Sequence, residues 1–497
     1  MEEAFGFQLA GGEFFEDLSR YGTTPVYLEL MKELLPPDWS VSRKDVWLQA
    51  LPPAAEFAVQ GFKIHVSVTP QLAGTAMRRV VPVCVESGVP FKAAADPALL
   101  GMLNGKRFGR GGSGKFMTIY PPDVDTFTRL AAEIHRRTSD LEGPYILSDR
   151  RYADSRCLFY RYGGFRSVQR LRVDGTRELC IVAPDGSLVP DQRLPYFQLP
   201  EWVEDPFGGA GEVEDEEPGL LGGRFRIEEA ISFSNSGGVY RAVDTRTGEP
   251  VVLKEARPLT NVWNRHGLFL DSVVLLSREH AVLERLRHVP CLPRPVALFQ
   301  EWEHWFLAES FAEGVPLTSF RARDEVILTS YIDDPERIRR FCSMFHSLAT
   351  QLLDAVQAIH ASGVIIGDLS PNNVLVDPDT LRVTLIDLEG AQCVDDDEAM
   401  NEFSRVWATP GFRSEARGSA GRLAASDDFF ALGMVLHGLV LPVESFFELN
   451  PQASRDRFID RFVAAGLPVQ VREVVAALRT GRADLARDVL ETWSPPS

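Results

Sequence analysis

The stretch GVIIGDLSPNNVLVDPDTLRVTLIDLEG, Gly363 to Gly390, constrains this 497-residue chain more than any other. Asp368 is followed five residues later by Asn373, and Asp387 closes a run of alternating apolar residues. Asp and Asn side chains bond their own backbone in turns, so an acidic turn between a helix and a strand also has a purely structural reading. The flanks narrow the choice. Leu348, Leu352, Ala355, Val356 and Ile359 recur at helical spacing, which predicts a buried helix leading into the turn. Val374, Val376, Val383, Leu385 and Leu388 read as two short strands that present Asp387 at a rigid end. Further on, SDDFFALGMVL, Ser426 to Leu436, predicts a second buried helix that opens with Asp428.

Upstream, VVLKEA sets Lys254 on an apolar strand, and ISFSNSGGVYRAVD, Ile231 to Asp244, stands where a glycine-rich loop would join two strands. Ordered matches at four places make the chain from about Leu221 to its end resemble a protein kinase. The resemblance implies that Asp368 orients a substrate hydroxyl, while Asn373 and Asp387 hold the magnesium ions that bridge the nucleotide phosphates of ATP or GTP. It further implies that Ser234 and Gly237 cover the nucleotide and that Lys254 pairs with Glu279 in SREHAVLERL, Glu284 being the alternative partner. The departures are specific. Ser232 and Ser234 take the first two glycine positions, which makes the phosphate cover less pliant. Ile366, Gly367 and Asp368 stand for His-Arg-Asp, so an activation-loop phosphate lacks its usual arginine. Ser370 replaces the common catalytic-loop lysine, Asp387-Leu388-Glu389 stands for Asp-Phe-Gly, and Ser414-Glu415-Ala416 for Ala-Pro-Glu.

Composition bounds the rest. Fifty-two basic against 70 acidic residues give a net charge of −18, which argues against nucleic-acid or anionic-membrane partners. The six cysteines, at 84, 157, 180, 291, 342 and 393, show neither metal-ligand nor disulfide spacing, and the acidic start lacks a signal-peptide charge pattern. A reduced, cytoplasmic protein is the expectation. Charge is uneven, however: Arg78 to Arg172 holds 17 Lys and Arg against 9 Asp and Glu. EWVEDPFGGAGEVEDEEP, Glu201 to Pro218, reads as an acidic Gly/Pro linker. The expected domains are therefore 1–200, a linker over 201–220, and 221–497, the last divided into lobes at about 310.

In the first domain, GFKIHVSV alternates: Phe62, Ile64, Val66 and Val68 on one face, Lys63, His65 and Ser67 on the other. Taken alone this is a half-buried strand with an ordinary polar side. Lys92 follows an apolar strand, and GKRFGRGGSGKFMTIYPP carries Lys106, Arg107, Arg110, Lys115 and Tyr120 around five glycines, a loop in which backbone and cations can approach an oxyanion. A mobile solvated loop is the plainer alternative.

A Lys-x-His strand, a separate lysine and an Arg-plus-Tyr loop resemble the phosphothreonine lyases, which remove phosphate by β-elimination. The resemblance implies Lys92 as the base at Cα, His65 as the proton donor to the bridging oxygen, Lys63 and Arg110 as phosphate ligands, and Tyr120 as the hydrogen-bond donor to the enolate-like oxygen. Arg161 and Arg166, in LFYRYGGFR, are weaker candidates, more simply read as surface arginines. The expected fold class is α+β, an N-terminal lyase-like α/β domain followed by a bilobal kinase-like domain.

That domain order resembles the class III lanthipeptide synthetases and the related class IV enzymes. The implied function is a bifunctional dehydratase that phosphorylates Ser or Thr of a precursor peptide, recognised through its leader, and then expels the phosphate. A cyclase domain with cysteine and histidine zinc ligands normally follows; this chain reaches Ser497 without that ligand set, so ring formation is expected elsewhere, in a separate cyclase or a removed domain. The alternatives are a regulatory Ser/Thr kinase whose first domain only binds phosphopeptide, with Lys63 and Arg110 as docking cations, and an inactive kinase scaffold.

Overall fold

The structure is a computed structural model that describes residues 22–495 apart from 54, 56, 107, 209–218, 266–267, 324–325, 327–333, 419–420 and 442–450. Its fold class is α+β, with an N-terminal domain preceding a second, two-lobed domain.

Seven strands form the first sheet: β1 (Ser40–Lys44), β2 (Trp47–Leu51), β3 (Gln60–Val66), β4 (Phe91–Ala94), β5 (Met117–Ile119), β6 (Arg150–Arg151) and β7 (Leu158–Gly164). They lie in the order β1-β2-β4-β5-β3-β7-β6, and every neighbouring pair is antiparallel. Helices α1 (Val26–Leu34), α2 (Ala73–Glu86), α3 (Pro97–Leu103) and α4 (Val124–Thr138) complete this layer. Phe62, Ile64 and Val66 of β3 face the apolar sides of α2 and α4, so one face of the sheet is sealed by hydrophobic burial. The opposite face is covered by loops rather than helices. Lys63, His65 and Ser67 lie under them at 8%, 3% and 0% exposure, so the alternation read from the sequence holds while its polar side is buried too. The chain over 143–145 comes so close that a Cβ on Gly143 would meet the backbone of Ser67.

A small second sheet, β8 (Val168–Leu171), β9 (Arg177–Val182) and β10 (Leu188–Pro190), extends from β7. Gln60 ties the two sheets together by accepting from the Val182 amide at 2.6 Å and donating to its carbonyl at 2.7 Å. Residues 201–208, expected to open the linker, instead pack on the first domain. Phe207 meets Phe127, Tyr152 and Tyr160, and Arg150 pairs with Asp205 at 2.5 Å. Three aromatic contacts outweigh the local turn-forming composition. Residues 209–218 of the expected linker lie outside the described residues.

The N-lobe of the second domain begins with β11 (Phe225–Ser234), β12 (Gly237–Asp244) and β13 (Pro250–Ala256), followed by a hairpin of β14 (Trp263–Arg265) and β15 (Leu268–Leu270). Helix α5 (Ser272–Arg285) comes next, then β16 (Pro295–Glu301) and β17 (His304–Ser310). Five of these strands form an antiparallel sheet, β11-β12-β13-β17-β16, and α5 packs on it. Asp271 caps α5 by accepting from the amides of Val273 and Val274, both at 3.0 Å. In the C-lobe the expected buried helix spans Pro335–Ala361, the two short strands Val374–Val376 and Val383–Leu385, and the second buried helix Ala425–Val440. Their apolar faces join one core.

The first domain is clamped to the N-lobe of the second. Arg151 grips Glu303 with both guanidinium nitrogens, at 2.5 and 2.6 Å, and Tyr145 meets Trp302 edge to face at 4.8 Å. Arg257, 1% exposed, donates to the carbonyls of Asn235 and Tyr145, and so stitches the glycine-rich loop to the first domain.

Candidate active sites

The cleft of the second domain is built on strand ends and one helix. Because β13 lies beside β17 and under α5, Lys254 Nζ sits 2.7 Å from Glu279 Oε1 and 3.2 Å from Glu309 Oε1. Glu284 instead pairs with Arg287 at the surface, at 2.5 Å. Burial disfavours a charged Lys254, yet Glu279, Glu309 and Asp387 together hold its pKa well above the ordinary lysine value. Burial pushes the third carboxyl, Glu309, up to about 7, against the pull of Lys254. Glu279 also accepts from the Leu388 amide at 3.0 Å, linking α5 to the turn that carries Asp387.

Asp387 itself has φ +66°, the left-handed region that a non-glycine residue occupies at a cost. Burial opposes its charge, but Lys106 and Lys254 hold its carboxyl below the usual range. Asn373 donates to the Asp368 carbonyl at 2.9 Å, and Asp368 accepts from the Thr409 amide at 2.7 Å. The loop is held from below by Asp428, 1% exposed, which accepts from the amides of Ile366 and Gly367 at 2.7 and 2.8 Å and meets His360 at 2.8 Å. Asp368, Asn373, Asp387, Ser234 and Lys106 line one cleft of about 810 Å³. Gly237 lines its inner end; a Cβ there would run into the Glu255 carbonyl, so this glycine is required by close backbone approach.

Asn373 and Asp387 offer two hard oxygen ligands beside a space for phosphates, which suits magnesium. Among the described residues no group of three or more His, Cys, Asp or Glu is arranged to hold a metal by itself, so phosphate oxygens would have to complete the coordination.

The second site is the buried polar face of the first sheet. Antiparallel register aligns Gln49, Lys92, Thr118, His65 and Phe159 across five strands, with Lys63 directly opposite Arg161 one step along. His65 Nδ1 lies 2.5 Å from Asp149, which also accepts from Ser148 at 2.8 Å. Arg161 is buried and paired with Asp191 at 2.6 Å, so it is not the surface arginine its sequence context suggests; Arg166 is exposed. Lys115 donates to the Gly111 carbonyl at 2.7 Å.

Burial and then neighbouring cations lower three lysines. Lys63 falls to about 7, with Arg161 the leading cation; Lys115 falls to about 7, with Arg193 and Arg161 acting on it; Lys92 falls to about 8 under Arg193 and Lys44. Lys92 Nζ rests 4.1 Å from the Trp47 ring centroid. His65 is lowered to about 3, because burial outweighs the Asp149 carboxylate that pulls the other way. Tyr120 lies at the rim against Phe57 and Phe165, and its hydroxyl is held protonated by burial.

Of the five first-domain residues predicted from sequence, Lys63, His65, Lys92 and Tyr120 therefore share one sheet face. Arg110 does not join them: its guanidinium lies 4.8 Å over the Phe233 ring of the glycine-rich loop. The cation that bears on Lys63, Lys92, Lys115 and Tyr120 is instead the exposed Arg193. Asp149, Asp191 and Arg193 sit in loops without periodicity, and nothing local in the sequence marks them. In the second domain, nothing local in the sequence marks Arg417 either. It is 2% exposed and donates to the carbonyls of Gly367, Ser404, Arg405 and Trp407, bracing the catalytic loop where a phosphate would do so in a regulated kinase.

A bilobal domain with a Lys-Glu pair on β13 and α5, facing an Asp-Asn-Asp set, defines a protein kinase. The protein kinase domain model matches residues 225–477, and the chain belongs to that family. The model of the RamC N-terminal domain matches residues 27–219. The two matches in this order bear out the resemblance to class III lanthipeptide synthetases read from the sequence. Among relatives, the probable SapB synthase of Streptomyces coelicolor is 35% identical over 419 residues, covering 84% of this chain and 43% of its own length. Serine/threonine-protein kinase pkn3 of Myxococcus xanthus is 27% identical, covering 45% of this chain and 39% of the relative. A putative CBL-interacting protein kinase 13 of Oryza sativa is 28% identical over 49% of this chain and 43% of its own length. The chain spans less than half the length of each of these relatives. A kinase domain implies ATP and magnesium.

Proposed function

We propose that this chain dehydrates Ser and Thr residues of a precursor peptide in two steps, phosphorylation in the kinase cleft and elimination on the cation-lined sheet face. The observation that carries the reading is the convergence of Lys63, His65, Lys92, Lys115 and Arg161 on one buried face of a domain clamped to the kinase lobe.

In the first step the substrate hydroxyl oxygen bonds to the γ-phosphorus of ATP, the bond to the β,γ-bridging oxygen breaks, and its electrons leave on ADP. Asp368 receives the hydroxyl proton. Asn373 and Asp387 would hold magnesium, which when bound would neutralise charge on the phosphates. Lys254 stays charged beside Glu279 and Glu309 and is aimed at the same phosphates. GTP would fit the same phosphate contacts.

In the second step the neutral Lys92 amine takes the Cα proton, and the C–H electron pair forms the Cα=Cβ bond. The Cβ–O bond breaks and its electrons leave with phosphate. Lys63, Arg161 and Arg193 bind that phosphate, and Tyr120 donates to the carbonyl oxygen as enolate charge grows. His65 protonates the bridging oxygen. Burial favours its neutral form, and a dianionic phosphate bound among these cations would raise its pKa toward the protonated form. Phosphorylation makes this chemistry possible, since it replaces hydroxide by a good leaving group.

The peptide leader is taken up by the same chain, ring closure falls to a cyclase domain or protein, and the work is done in the cytoplasm. Among the described residues no helix is long and apolar enough to cross a membrane. With ATP, magnesium and a serine-containing precursor, mass spectrometry should find peptide lighter by water. Stable phosphopeptide with no water loss would support the second reading, a kinase with a phosphopeptide-binding domain. The burial of His65, which lowers its pKa and so disfavours a proton donor, favours that alternative.

A further inference from the structure

The first domain does more than sit beside the kinase. Its loop after α3 enters the kinase cleft and is fixed there through backbone contacts. The Asn235 amide donates to the Lys106 carbonyl at 3.2 Å. The Asn235 side chain, fully buried, donates to the carbonyls of Leu103 at 2.8 Å and Gly105 at 3.1 Å. On the other side the Asn261 amide donates to the Asn104 carbonyl at 2.8 Å, and the Asn261 side chain accepts from the Lys106 amide at 3.4 Å.

This clamp leaves the Lys106 side chain pointing between the two halves of the phosphate site. Its ammonium lies 2.5 Å from Glu389, and it lines both the cleft of Asp368, Asn373 and Asp387 and the inner end beside Lys254 and Gly237. Glu389 and Asp387 hold it charged against the opposing effect of burial. Meanwhile the catalytic loop offers no cation of its own at the phosphate. Ser370 lines the same cleft, is 1% exposed, and among the described residues its hydroxyl has no hydrogen-bond partner.

We infer that Lys106, supplied by the N-terminal domain, is the cation that neutralises the transferring phosphoryl group in the kinase reaction, in place of the lysine that Ser370 cannot provide. The inference rests on the kinase reading above. Glu389 holds the Lys106 ammonium in place, 2.5 Å away. When a nucleotide enters, the γ-phosphate competes for the ammonium, which has three donors and need not surrender Glu389 altogether. The negative charge that spreads over the equatorial oxygens as the β,γ-bridging bond breaks is then met from the side opposite Lys254. Kinase activity is thereby made dependent on the domain that consumes its product, so phosphorylation is confined to chains that can also eliminate.

The test measures ADP release from magnesium ATP by the full chain with a serine-containing acceptor peptide. Lys106→Ala should lower kcat roughly 10²-fold, with a smaller change in KM for ATP, because the contact strengthens in the transition state. Lys106→Arg should keep most of the activity. Adding Ser370→Lys to Lys106→Ala should recover at least about tenfold, since a cation returns to the phosphate from the other wall. A simple anchor between domains would be rescued by arginine but not by a lysine at 370. The inference is overturned if Lys106→Ala keeps kcat within about twofold of the unaltered chain, or if Ser370→Lys restores nothing. Should the unaltered chain turn over no ATP, the kinase reading falls and takes this one with it; activity that ignores Lys106 removes this one alone.

Discussion

The two proposed phosphate sites are opposites in charge. In the kinase cleft Lys254 and Lys106 are outnumbered by Glu279, Glu309, Asp387, Glu389 and Asp368, and both lysines are held charged. On the sheet face Lys63, Lys92, Lys115, Arg161 and Arg193 outnumber Asp149 and Asp191, and all three lysines are pushed toward neutrality. The same ligand group explains both arrangements. An acid-rich cleft binds phosphate only together with metal ions, whereas a cation-rich one binds it bare and has neutral amine to spare as base.

The largest effect expected from this contrast is metal removal. EDTA should abolish phosphate transfer and leave elimination from a chemically phosphorylated peptide unchanged; a parallel loss of both would break the comparison. Next, Asp387→Asn should lower phosphorylation by roughly 10²–10³-fold in a mass-spectrometric time course, again without touching elimination. Asp428→Ala should then destabilise the kinase domain by about 2–5 kcal/mol in denaturant melts, since two buried amides lose their acceptor.

The smallest effect concerns pH. Unfolded lysines titrate near ~10.4, and the folded values of Lys63 and Lys115 are about 7. Between those values the unfolded chain binds more protons, so stability rises with pH across that window and falls toward pH 7. Lys115→Met should flatten the rise in melting temperature, and an unchanged slope would show that this lysine is not depressed.

Much of this contrast was legible in the chain itself. Asp368, Asn373 and Asp387 are close in sequence and bound to strands whose apolar alternation is plain, so their convergence needed only short-range rules. Lys63 and His65 were legible for the same reason: a period of two puts them on one face. Arg193, Asp149 and Asp191 were not, because they reach the site through loops whose paths are set by contacts such as Ser67 Oγ to the Pro144 carbonyl, 2.6 Å, and these leave no periodic trace. Arg110 and Lys106 share one glycine-rich loop with Lys115, yet the loop divides between two sites. Glycine content announces such a loop without saying where its cations point. The acidic stretch from Glu201 misled in the opposite direction: Phe207 and Asp205 have tertiary partners that override a turn-like composition.

The account stands or falls on whether the first domain eliminates phosphate. The direct measurement gives the full chain, without nucleotide or metal, a peptide carrying chemically installed phosphoserine, and follows phosphate release and peptide mass. The account predicts release of phosphate with formation of dehydroalanine, rising as pH passes through about 8 and Lys92 loses its proton, and lost in Lys92→Ala. A phosphopeptide that binds and stays intact, or elimination by Lys92→Ala at the unaltered rate, would contradict it.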